Sequence, residues 1–113
     1  MNPEIEATAR GAAARLAASH PDLPPHVEAA IARGGEQKPE QFIEPGTAIA
    51  LAALVLNVAK FVYDLRKDAK AAEKMSRAGL RRRVRLELDE RGVPATGHRD
   101  AVIEAVLDEV GAR

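Results

Sequence analysis

The chain has no cysteine and no tryptophan, and its aromatic residues number one tyrosine and two phenylalanines in 113 residues. Without cysteine there is no disulfide and no thiolate nucleophile, a pattern that suits a cytoplasmic protein. Histidine is scarce too: His20, His26 and His98 are the full set. No serine stands in a recognisable nucleophile context beside them, so no hydrolytic or transfer constellation emerges. His20, Asp22, His26 and Glu28 lie close in sequence, but across a proline-rich turn and at no standard metal-ligand spacing. They read as turn and cap residues. Gly34-Gly35 and the pair Gly92 and Gly97 lack the flanking strand and lysine of a phosphate-cradling loop. The expectation is a protein that is not an enzyme and uses no metal or cofactor. Near the N-terminus, Glu4 and Glu6 stand where a secretory signal would need basic residues, so no such signal is expected.

Net charge is also missing, with 17 basic and 17 acidic side chains. The balance conceals a segregation. Residues 1–59 carry 4 basic and 7 acidic groups, residues 60–85 carry 10 and 3, and residues 86–113 carry 3 and 7. A basic middle between acidic ends can be complemented within the chain, or it can meet an anionic partner. Heavy use of alanine, arginine, glycine and proline suggests a high-GC bacterial genome.

Large apolar residues are concentrated. Of 52 apolar residues 23 are alanine, and ten of the 29 larger ones fall between Ile49 and Leu65. The run Thr47–Val62 is apolar on every face apart from Asn57 and Lys60, so it must be hidden in a helical bundle, a partner or a membrane. As a membrane span, 47–63 is at the short limit and contains Asn57 and Lys60, each costly near a bilayer centre. A central core helix ranks above membrane insertion.

The chain punctuates as helices. Asn2-Pro3-Glu4 is a helix start, with a capping side chain, proline at the first helical position and acid at the positive end of the dipole. Ile5, Ala9, Ala12 and Leu16 form a narrow inward stripe, and His20-Pro21-Asp22 ends the helix. A second, short helix opens at Asp22 and stops at Gly34-Gly35. Residues 34–46 form a connector in which Phe42 and Ile43 act as a hydrophobic staple. One long helix then runs over about 45–77, roughly 45 Å, longer than a 12.1 kDa globule is wide. For 80–91 the four-residue spacing of Leu80, Val84 and Leu88 favours helix over the strand-like alternation of Val84, Leu86 and Leu88. A lone strand would have nothing to pair with. A Gly92–Gly97 turn and a helix over about 98–110 complete a C-terminal hairpin.

The hairpin resembles the SAP motif, a helix–turn–helix-like DNA-binding unit of chromatin and repair proteins. Val84 and Leu88 match its first helix, Arg91-Gly92-Val93 its basic-Gly-apolar turn, and Thr96-Gly97 and Arg99 its second glycine and basic residue. Val102, Ile103 and Val106 match its second helix. The resemblance covers residues 80–107 and implies DNA binding. Asp100, Glu104, Asp108 and Glu109 depart from it, placing acid where DNA would want lysine. No aromatic residue interleaves with Arg81-Arg82-Arg83 and Arg85, which argues against single-strand stacking.

The chain therefore reads as one all-α domain of about five helices around one long central helix. Its expected role is that of a small protein–protein interaction, adaptor or assembly module, able to self-associate. DNA binding through the hairpin and membrane association through 47–63 are the alternatives. Leu54, Val58, Phe61 and Leu65 are the expected apolar contacts, in the core or at an interface. Arg66, Lys70, Arg81, Arg82 and Arg85 are the expected charged contacts to an acidic partner surface.

Overall fold

The computed structural model describes residues 2–34, 47–68 and 76–111. Five helices are found among them and no strand: α1 (Pro3–Leu16), α2 (Leu23–Ala32), α3 (Ala48–Asp68), α4 (Arg77–Glu90) and α5 (Gly97–Gly111). Local chemistry sets most of the boundaries. Asn2 Oδ1 accepts from the Glu4 amide at 2.7 Å, and the Asn2 side-chain amide donates to the Tyr63 hydroxyl at 2.9 Å. One residue thus caps α1 and ties it to α3. Thr47, Ser76 and Thr96 hydroxyls accept from the amides of Ala50, Gly79 and Arg99 at the starts of α3, α4 and α5. Each satisfies an amide that the first helical turn leaves without a partner.

The α4 end shows why glycine stands at position 92. Gly92 has φ +77°, the Val93 amide donates to the Leu88 carbonyl at 3.0 Å, and the Gly92 amide to the Asp89 carbonyl at 3.1 Å. This doubly bonded reversal requires left-handed backbone, and buried Val93 packs beneath it. Gly34, at φ +78°, closes α2 in the same region of backbone space.

The core is built around α3, which packs against all four other helices. Leu51, Val55, Val58 and Val62 are fully buried, together with Leu23 and Val27 of α2, Val84 and Leu88 of α4, and Val102, Ile103 and Val106 of α5. Each such aliphatic side chain withdrawn from water stabilises by about 1.5–3 kcal/mol. The small stripe of α1, with Ala9, Ala12 and Ala13 at 0–1% exposure, lets that helix approach α3 and α5 closely. The apolar run is thereby hidden inside its own chain. The segment Ala48–Lys67 is long and apolar enough to cross a membrane by length and composition alone, yet 56% of its most apolar window is buried in this fold.

Two expected boundaries change. The first helix ends at Leu16, before His20, where Ser19 and His20 amides turn back onto the Leu16 carbonyl. The central helix spans Ala48–Asp68, 21 residues. At 1.5 Å per residue this is about 32 Å, within the 39 Å long axis of the molecule. Arg77, expected at its end, is instead the first residue of α4, because Ser76 is extended and caps the new helix. The staple residues Phe42 and Ile43 lie outside the described residues.

Candidate functional site: the basic flank of the fourth helix

Helix α4 meets only α3 and α5 among the described elements. Leu80, Val84 and Leu88 face inward on one stripe. The adjacent face carries Arg77, Arg81 and Arg85, also four apart, and it faces α5. There they meet Asp108, Glu104 and Asp100. Arg77 pairs with Asp108 at 2.7 Å and Glu104 at 3.0 Å, Arg81 with Glu104 at 2.6 Å, and Arg85 with Asp100 at 3.5 Å. Each step of four forward along α4 is a step of four backward along α5, as antiparallel helices require. Arg81 is bidentate, its second nitrogen lying 2.7 Å from the other Glu104 oxygen. The Glu104 carboxyl is held at about 2, first by the Arg81 hydrogen bonds, then by Arg77, against partial burial that pushes it up. The Arg77 and Arg81 guanidiniums rise above their usual range through the same bonds.

Two more arginines act at the turn of this hairpin. Arg99 is only 5% exposed. It donates to Asp89 at 2.6 Å and to the Val93 carbonyl at 3.4 Å, while its Nε is buried with no partner among the described residues. Arg91 lies 4.5 Å above the Phe61 ring and donates to Asn57 Oδ1 at 3.3 Å, joining α4 to α3. A cation over a ring at such a site adds about 0.5–1 kcal/mol.

The expected contact residues therefore separate into groups. Arg81 and Arg85 face α5 and are engaged there. Arg82 is exposed, forms no ion pair with another described residue, and shares its surface with Arg83, which sequence reasoning left out of the contact set. Beside them is Leu86, 54% exposed and one of two large apolar residues so open, with Ile49. Arg66 sits instead on the last turns of α3. Lys70 lies outside the described residues. Of the apolar set, Leu54 and Val58 are buried in the core at 4% and 0% exposure. Leu65 is partly buried against the core, and Phe61 lies under Arg91.

Arg66 lines a cavity of about 310 Å³ between α1, α3 and α5, with Lys67, Tyr63, Val62 and Ala59 from α3, Glu4 and Thr8 from α1, and Val110 from α5. Nothing in the sequence order announces this grouping. Among the described residues no three His, Asp or Glu side chains gather as a metal site. His20 and His98 meet edge to face at 5.5 Å, and Glu28 is taken by Arg10 at 2.7 Å. No family model matches the chain, and no curated protein or solved structure is significantly similar to it.

Proposed function

We propose that this chain is a non-catalytic protein–protein interaction module, an adaptor or assembly unit of the cytoplasm, that presents the outer surface of α4 to an acidic partner or to a second copy of itself. The observation that carries the reading is the coincidence of two cations without an ion pair among the described residues, Arg82 and Arg83, with the exposed Leu86 one turn away. Leu86 has the two arginines one turn before it and exposed Asp89 and Glu90 one turn after it: the leucine supplies buried area, and the charges around it, the arginines first, supply steering and register. The internal ladder sharpens which residues to alter. Reversing Arg81 or Arg85 would break contacts to α5 as well as any external contact, whereas Arg82 and Arg83 are free of that complication.

A photo-crosslinking residue placed at position 86 in cells, with one at exposed Ser19 as control, tests the reading. A discrete adduct at 86 that disappears in Arg82→Glu/Arg83→Glu, with the helical circular dichroism unchanged, is the expected result. Light scattering of the purified protein then tells whether the adduct is a second copy. No adduct at position 86, together with a monomer at all concentrations and salt levels, sinks the proposal. Retention of duplex DNA at low salt through Arg82 and Arg83 would favour the nucleic-acid alternative, and a requirement for detergent would favour the membrane one.

A further inference from the structure

The cavity beneath Arg66 combines polar and apolar side chains on its walls. Thr8 is 4% exposed, lines the cavity, and makes no hydrogen bond to a described residue. Its hydroxyl oxygen is not among the buried unsatisfied polar atoms of the described residues, so it is accessible from the cavity and open to a ligand. Tyr63 offers a second hydroxyl at the same wall. It accepts from the Asn2 amide at 2.9 Å, which fixes its oxygen and leaves its own proton to donate. At the mouth, Arg66 and Lys67 form no ion pair with another described residue, while Glu4 across the opening is already engaged. Every unused polar group around the cavity can therefore donate a hydrogen bond. Val62, fully buried, and partly buried Val110 supply apolar wall below them.

We infer that this cavity binds a small monocarboxylate with a short apolar tail. The carboxylate sits between the Thr8 and Tyr63 hydroxyls and the two cations, and the tail lies along Val62 and Val110. A ligand oxygen accepts from each donor, and its charge meets Arg66 and Lys67. At about 310 Å³ the space is at the lower end of small-molecule sites, which run from about 300 to 1,000 Å³. A compact ligand fits. The site is remote in sequence from the outer surface of α4, and it stands or falls independently of the partner proposed there.

Titration of the isotopically labelled protein with octanoate, octylamine and inorganic phosphate, followed by amide chemical shifts, tests it. Octanoate should give saturable shifts confined to the neighbourhoods of Thr8, Tyr63 and Val110. Octylamine, with the same tail and the wrong charge, and phosphate, with the charge and no tail, should bind at least tenfold more weakly. Thr8→Val preserves shape and removes the hydroxyl, and it should weaken octanoate about tenfold, the usual value of a hydrogen bond to a charged group. Arg66→Gln/Lys67→Gln, at exposed positions that cannot compromise folding, should weaken it at least as much. Octanoate binding that survives both variants, octylamine binding as tightly as octanoate, or no saturable shift at Thr8 would each overturn the assignment.

Discussion

Replacing Glu104 by glutamine removes one charge from the middle rung of the α4–α5 ladder and leaves the side chain's size unchanged. Arg81 approaches it at 2.6 and 2.7 Å and Arg77 at 3.0 Å, and the carboxyl titrates at about 2 where an ordinary one titrates near 4.5. Carried over whole, that difference is about 3 kcal/mol of stability. Glu104 is 37% exposed, however, and solvent screens the pair, so about 1 kcal/mol is the expected cost. In a domain of this size it should lower the melting temperature by about 4–8 °C at neutral pH. The sign of the pH dependence follows from the direction of the shift. The folded carboxyl is more acidic than the unfolded one, so its contribution is complete above about pH 4.5 and is lost as pH falls through about 2. The melting gap between wild type and Glu104→Gln should therefore be constant from neutral pH to about 4.5 and then narrow steadily. It should also shrink in high salt. A gap that stays the same down to pH 2 would refute the reasoning, since it would mean that Glu104 acts through packing alone.

Leu54→Ala, at a side chain 4% exposed, should cost about 2–4 kcal/mol in urea denaturation, whereas Leu86→Ala, at one 54% exposed, should stay within about 0.5 kcal/mol. Gly11→Ala would push a methyl group into the Glu109 carboxylate, which pairs with Arg15 at 2.9 Å. Alone it should be nearly neutral, the helix gain of about 0.5–1 kcal/mol being offset by the displaced contact. In a Glu109→Ala background the same change should be stabilising by nearly the full helix gain, as read by thermal melts of the four proteins of the cycle. Asn2→Ala removes the α1 cap and the tie to Tyr63, and it should cost about 1 kcal/mol.

The helices were legible because their signals are local. Asn2 stands before an apolar stripe at the right spacing, and Gly34 and Gly92 stand after such stripes, whereas Ser76, which caps α4, lay inside the expected long helix and was not legible as a start. The all-round apolarity of 47–62 foretold a helix with neighbours on every side. The site was less legible because it depends on which face meets which. Arg81 and Arg82 are adjacent letters in a basic run, yet one is bound to α5 and the other faces water. That distinction required the antiparallel register of the hairpin. Its signal was present in the matched four-residue spacings of Arg77, Arg81 and Arg85 and of Asp100, Glu104 and Asp108. The acid on α5, a departure from the SAP resemblance, is the complement of the basic helix before it. Arg99, matched to the basic residue of that motif, is spent inside the turn. The cavity joins residues from both ends of the chain and had no local signal at all.

The placement of α3 in the middle of the sequence bears on how the protein is made. Its most apolar helix leaves the ribosome before α5, which covers one of its sides. At about 5–20 residues per second, several seconds separate the two events. During that interval a segment able to pass for a membrane span is only partly covered, and it is available to targeting factors and chaperones that recognise apolar helices. Ribosome-stalled chains from which residues up to about 80 have left the exit tunnel should bind a hydrophobic dye or trigger factor-like chaperones strongly, and chains with α5 fully emerged should not. Equal binding by both lengths would show that α1 and α2 suffice to shield it. The order of the helices thus makes synthesis, and not the finished bundle, the period in which the apolar run of this chain is least covered.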